Sequence, residues 1–135
     1  MEAKKKILIV DDDGFVLKII EKALAEENDY DVVWASNAKI ALTEANNTNF
    51  DLIITDIIMP DIDGIQFINE IRKNDRHIPI IAMSGGDDGG QVDQYINLSH
   101  YFANDTLTKP FTKDELLQAI HMVLHRNDPN CLEVF

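Results

Sequence analysis

The sequence predicts an α/β domain, a doubly wound five-stranded parallel sheet with helices on both faces, and three observations point there. Short β-branched runs at 7–10, 32–35, 52–55 and 78–83, with a weaker one at 106–108, each read as a buried strand. Stretches with helical spacing of apolar residues lie between them. The runs lack polar alternation, which suits strands covered on both faces and therefore paired in parallel. A chain of 135 residues, 45% hydrophobic with 4 prolines and 6 glycines, is one ordinary globular domain's worth.

The elements follow in order. Ile7–Val10 is the first strand, and Val16, Ile19, Ile20, Ala23 and Leu24 share one face of the helix behind it. Val32–Ala35 is the second strand, with Ser36 predicted to cap a helix running to about Asn46. Leu52–Thr55 is the third, followed by a helix marked by Ile65, Ile68 and Ile71. Ile78–Met83 is the fourth, ended by "GGDDGG", after which Val92, Tyr95, Ile96 and Ser99 suggest a fourth helix. Thr106–Thr108 is the fifth strand. The last helix opens with "TKDE", where Thr112 and Glu115 form a capping box, and buries Leu116, Ile120, Val123 and Leu124. Trp34 and Phe50 read as packing residues.

Composition excludes several functions. A net charge of −12, from 24 acids against 12 bases, repels phosphate backbones and anionic membrane surfaces, so neither nucleic acid nor membrane is an expected partner. The apolar run after "KKK" is too short for a signal peptide, and nothing approaches membrane-spanning length. A single cysteine, Cys131, forms no internal disulfide and fits a cytoplasmic protein.

The polar residues gather where strands end. Asp11, Asp12 and Asp13 follow the first strand, Asp56 the third, Ser84 the fourth and Lys109 the fifth. In an open parallel sheet, ligands bind outside the carboxyl ends of the strands at the switch point. With the flavodoxin-like (βα)5 order 2-1-3-4-5 these groups converge. Convergent carboxylates repel unless a cation occupies the gap, and magnesium, or manganese, is the hard ion that takes one or two carboxylates beside a phosphate oxygen. A carboxylate beside such an ion is also a nucleophile toward phosphorus. Asp56, ending the central strand among apolar neighbours, is the better nucleophile candidate; Asp12 is the better metal ligand.

"KILIVDDD", "DLIITDIIMPDIDG", "IIAMSGG" and "LTKPF", in that order and at nearly the usual spacing, resemble the receiver domain of two-component response regulators over essentially the whole chain. The resemblance implies that Asp56 is the phosphoacceptor, taking a phosphoryl group from a phosphohistidine on a sensor histidine kinase or a histidine phosphotransfer protein. It implies a magnesium shell of Asp11, Asp12, Asp56 and the backbone carbonyl of Ile58, with Asp12 the direct ligand and Asp11 acting mainly through water. Ser84 is then the hydroxyl that swings toward the phosphoryl group, and Lys109 pairs with Asp56 and later with the phosphate. A cis Lys109–Pro110 bond is common in the family. The chain is expected to catalyse only its own phosphorylation and slow dephosphorylation. Its expected docking surface, for a protein target or a second copy, is the face of the fourth helix, fifth strand and fifth helix. Residues 1–126 read as the receiver and 127–135 as a short tail without an output domain.

Three departures from the family pattern stand out. Thr106 occupies the position, three before the lysine, that is usually aromatic. The segment from Ser84 to Lys109 is a few residues longer than usual. "AND" replaces the usual "GA" before the last strand, with Asn104 a candidate helix end. A rival reading is a magnesium-dependent phosphohydrolase of the haloacid dehalogenase type, because "ILIVDDDGF" also resembles its DxDG motif, with Asp11 as nucleophile and Asp13 as acid–base. That reading leaves Asp56 unexplained. His121 and His125, at i and i+4 on the last helix, lack a third metal ligand.

Overall fold

The computed structural model describes residues 4–27, 29–57, 64–75, 77–85 and 103–125. The chain runs β1 (Lys5–Val10), α1 (Gly14–Ala25), β2 (Tyr30–Ala35), α2 (Ala38–Asn47), β3 (Leu52–Asp56), α3 (Gly64–Asn74), β4 (Ile80–Gly85), β5 (Asp105–Lys109) and a C-terminal helix (Lys113–Leu124). The five strands are parallel and lie in the order β2-β1-β3-β4-β5, as expected. The predicted fourth helix falls outside the described residues.

Two apolar layers follow from the two-residue alternation of a strand. Ile7 and Ile9 of β1 join Ile54, Met83 and Leu107 under α1 and the C-terminal helix, which contribute Leu17, Ile20, Leu116 and Ile120. Leu8 and Val10 face the other way, with Ile53, Ile80 and Ala82, under α2 and α3, which contribute Ala41, Phe67, Ile68 and Ile71. One uninterrupted run therefore serves two cores, which is why it shows no polar alternation.

Local chemistry sets the element ends. Asp13 caps α1, its side chain accepting from the Phe15 amide at 2.9 Å. The capping box at Thr112 and Glu115 is present. The cap of α2 is Asn37 rather than Ser36: the Asn37 Oδ1 accepts from the Ile40 amide at 2.8 Å, a reach that Asn offers as readily as Ser. β4 begins two residues later than predicted. Asp75 Oδ1 accepts from the amides of His77 and Ile78, and the Arg72 guanidinium donates to the Ile78 carbonyl, so Ile78 is held in a turn. Asn104, the candidate helix end, works at the sheet. Its Oδ1 accepts from the Ile80 amide at 2.9 Å and from Arg72 at 3.0 Å, tying α3 to β4. Among the described residues, no helix is long and apolar enough to cross a membrane.

Candidate functional site

The strand registers deliver the polar residues to one edge. Val10 of β1 lies opposite Thr55 of β3, so Asp11 and Asp56 are the next residues on neighbouring strands. Asp56 pairs with Met83, and Lys109 with Gly85. Asp11, Asp56 and Lys109 each stand two residues beyond Ile9, Ile54 and Leu107, which share one core layer, so alternation aims all three side chains to the same side.

They meet there. The Lys109 Nζ donates to Asp11 Oδ2 at 2.8 Å and to Asp56 Oδ2 at 3.3 Å. Burial pulls the Lys109 ammonium toward neutrality, but the Asp11 hydrogen bond and the charges of Asp56 and Asp11 outweigh it, and its pKa stands above the ordinary lysine value. Carboxylate oxygens of Asp11, Asp12 and Asp56 all lie within 4.8 Å of one another. Asp11 and Asp56 are buried while Asp12 is exposed.

Asp11 is anchored on every polar atom. Its amide donates to the Ala35 carbonyl at 3.2 Å, its Oδ1 accepts from the Asp13 amide at 2.9 Å, and its Oδ2 takes Lys109. Its carbonyl accepts from Trp34 Nε1 at 2.9 Å. A residue so committed suits a fixed wall, and the exposed Asp12 beside it suits direct contact with a cation. Three clustered carboxylates with one ammonium fit the oxygen preference of a magnesium-sized ion, which keeps several of its own waters.

Ser84 is the last but one residue of β4, next to Met83, the register partner of Asp56. It is 2% exposed, and its Oγ has no hydrogen-bond partner among the described residues. An orphaned buried hydroxyl costs about 1–3 kcal/mol, and a phosphoryl oxygen in the pocket would satisfy it. Thr106 is half-buried opposite Ala82, with its amide donating to Asp105 Oδ1 at 2.8 Å. The Lys109–Pro110 bond is cis. Ile58 lies outside the described residues.

Two contributors went unread in the sequence. Trp34, expected to pack, is 41% exposed and holds the Asp11 carbonyl. On edge strand β2 it stands two residues beyond Val32, where the covering layer runs out, so the ring is left at the rim. Gly64, at the end of the "MPDIDG" stretch, packs against the end of β3: its amide donates to the Ile57 carbonyl at 2.5 Å, and a Cβ there would overlap the Asp56 carbonyl oxygen and the Ile57 backbone. Gly64→Ala is expected to lower stability by about 2 kcal/mol, because the obstructing atoms are main chain and cannot rotate away. A urea midpoint unchanged from the native protein would contradict that close approach.

The remaining candidates are accounted for without a site. Asp13 caps α1 and is not among the clustered carboxylates. His121 and His125 pack ring against ring at 4.3 Å, and among the described residues the aspartate cluster is the only group of three or more metal-ligating side chains.

A parallel α/β domain with an acidic pocket and a lysine across its carboxyl edge has the architecture of a phosphoacceptor signalling domain. The chain belongs to the response regulator receiver domain family, whose model matches residues 7–121. It is 32% identical over 124 residues to the alkaline phosphatase synthesis transcriptional regulatory protein PhoP of Bacillus subtilis, covering 92% of this chain and 50% of the relative. It is 37% identical over 121 residues to the response regulator ArlR of Staphylococcus saprophyticus, covering 90% and 53% respectively. The chain thus spans about half the length of these relatives. Among solved structures, a CheY-like receiver domain protein from Methanospirillum hungatei superposes with a TM-score of 0.82 at 28% identity, covering 92% of this chain and 96% of that one. The receiver domain of the sensor histidine kinase PA1611 from Pseudomonas aeruginosa, with magnesium coordinated in its active-site cleft, gives 0.79 at 29% identity over 90% and 98%. The chain is accordingly a signalling receiver domain of two-component systems, and the phosphohydrolase alternative finds no support in these comparisons.

Proposed function

We propose that Asp56 is the phosphoacceptor of this receiver, and that Asp12, Asp56 and the Ile58 carbonyl hold magnesium directly while Asp11 acts through water. The observation that carries the reading is the single ammonium of Lys109 bridging two buried carboxylates on adjacent strands, with the exposed carboxylate of Asp12 alongside. A carboxylate oxygen of Asp56 forms the bond to phosphorus as the donor's bond to phosphorus breaks, and the leaving group keeps the electron pair. Magnesium, when bound, neutralises charge on the equatorial oxygens. Lys109 stands within one side chain's length to pair with the new phosphate, and Ser84 Oγ supplies a donor that has no competing partner among the described residues. These charge-assisted contacts would favour one of two conformers of the edge around β4 and β5 and so bias partner binding. The phosphoryl donor is a sensor histidine kinase or a histidine phosphotransfer protein, and the target, or a second copy, docks beside β5. With Thr106 in place of an aromatic ring, that edge changes without the usual ring rotation. Beyond this self-phosphorylation and a slow loss of the phosphate, the domain catalyses nothing. The net charge of −12 disfavours nucleic acid or membrane as a direct partner of this domain, and the single cysteine agrees with a place in the cytoplasm.

Incubation with acetyl phosphate tests the reading. Intact-protein mass spectrometry is expected to show a single phosphoryl adduct with magnesium present and none after chelation. A folded protein that gains no adduct in either condition, and does not bind beryllofluoride with magnesium, would sink it.

A further inference from the structure

Trp34 lies in the row of β2 residues beside Ile9 and reaches past the end of β1 to the acidic loop. The oxygen that it holds, the Asp11 carbonyl, belongs to the peptide unit joining Asp11 to Asp12. That unit is planar, so fixing its oxygen fixes where the Asp12 Cα sits and which way the Asp12 carboxylate leaves the chain. The remaining contacts of the loop constrain other units: the Asp11 amide is tied to Ala35, and the Asp13 amide to Asp11 Oδ1. Among the described residues, the indole N–H is the hydrogen-bond partner of that central carbonyl.

Burial does not account for this tryptophan. It is 41% exposed, so its N–H would be solvated without the bond, and its ring covers less apolar surface than a core position would. What the site gains from Trp34 is a donor of fixed reach on a rigid ring.

We propose that Trp34 is a positioning residue for the cation site, its indole N–H orienting the Asp11–Asp12 peptide so that the exposed Asp12 carboxylate stands beside that of Asp56 where both can hold one divalent ion, with Asp11 next to them. The inference rests on the reading of that acidic cluster as a magnesium site, and the experiment separates the two. Trp34 is the only tryptophan of the chain, so biosynthetic replacement of tryptophan by β-(3-benzothienyl)alanine exchanges one N–H for sulfur at one place and keeps the ring's shape. Manganese binding is read for the native and substituted proteins from the electron paramagnetic resonance of the free ion, and Trp34→Phe serves as the second variant. Binding about fivefold weaker in both variants, the scale of one neutral hydrogen bond, is the expected result. Native indole emission is also expected to change on titration with magnesium, with the midpoint of cation binding. Affinities equal within twofold would overturn the positioning role while leaving the cation site intact. A native protein that binds no manganese would overturn both.

Discussion

Asp56→Asn is expected to abolish the phosphoryl adduct completely, whereas Asp11→Asn slows its formation and leaves it detectable. The asparagine keeps the shape of the side chain but offers an amide in place of the carboxylate proposed to attack, so no fraction of the reaction is expected to survive at that position. Asp11 has both oxygens committed, one to the Asp13 amide and one to Lys109, and contributes charge and position instead. The folded state should tolerate Asp56→Asn well. One of three like charges within 4.8 Å is removed, and the 2.8 Å contact between Lys109 and Asp11 remains. Adduct mass after acetyl phosphate treatment, with a urea midpoint for each variant, checks both statements. An adduct that persists in Asp56→Asn but disappears in Asp11→Asn would move the nucleophile to Asp11 and revive the hydrolase chemistry.

Lys109→Met is the second large effect, and it falls on stability as well as on phosphorylation. The substitution keeps an apolar stem and deletes the cation, leaving Asp11, fully buried, and Asp56, 8% exposed, facing each other across a gap without compensation. Breaking a buried ion pair on one side costs about 3–5 kcal/mol. Because the lysine side chain is 21% exposed, solvent screens part of that, and about 2–3 kcal/mol is expected. Magnesium should restore part of the loss, since a divalent ion among the same carboxylates supplies the missing positive charge. The pH dependence has a definite sign. The Lys109 pKa is raised in the folded protein, so its stabilisation is fully present below the ordinary lysine pKa and is lost as pH rises through the folded value. The stability difference between the native protein and Lys109→Met should therefore be flat through neutral pH and shrink only above about pH 10. A difference that vanished near neutrality, or a variant as stable as the native protein without magnesium, would show that the lysine does not hold this pair together.

The legible and illegible parts of the molecule divide by range. Strand runs, helical faces and the capping box at Thr112 and Glu115 depend on neighbours within a few residues and were readable within one or two residues of their observed limits. The misjudged details were decided by contacts between distant segments. Arg72 on α3 and Asn104 before β5 are 32 positions apart, and together with the Asp75 turn they take Ile78 out of β4. Gly64 reads as a turn residue until the end of β3 is found pressed against its Cα. Trp34 reads as core until β2 is placed at the sheet's edge, where one flank of the strand has no neighbour to bury it.

For the acidic site the same division holds. The sequence by itself determined the chemistry available: carboxylates after β1 and β3, a hydroxyl after β4 and an ammonium after β5, in motifs that mark the receiver family. Period-two alternation even carried the direction, since Asp11, Asp56 and Lys109 extend the rows of Ile9, Ile54 and Leu107. Only the tertiary structure decided how the four groups share the space. Lys109 bridges Asp11 and Asp56, 98 and 53 residues away, because parallel pairing brings the carboxyl ends of β1, β3, β4 and β5 to one edge. Asp11 became the anchored acid because the Asp13 amide and Lys109 close on its carboxylate and an indole from β2 closes on its carbonyl, while Asp12, beyond the end of β1, is left exposed beside it.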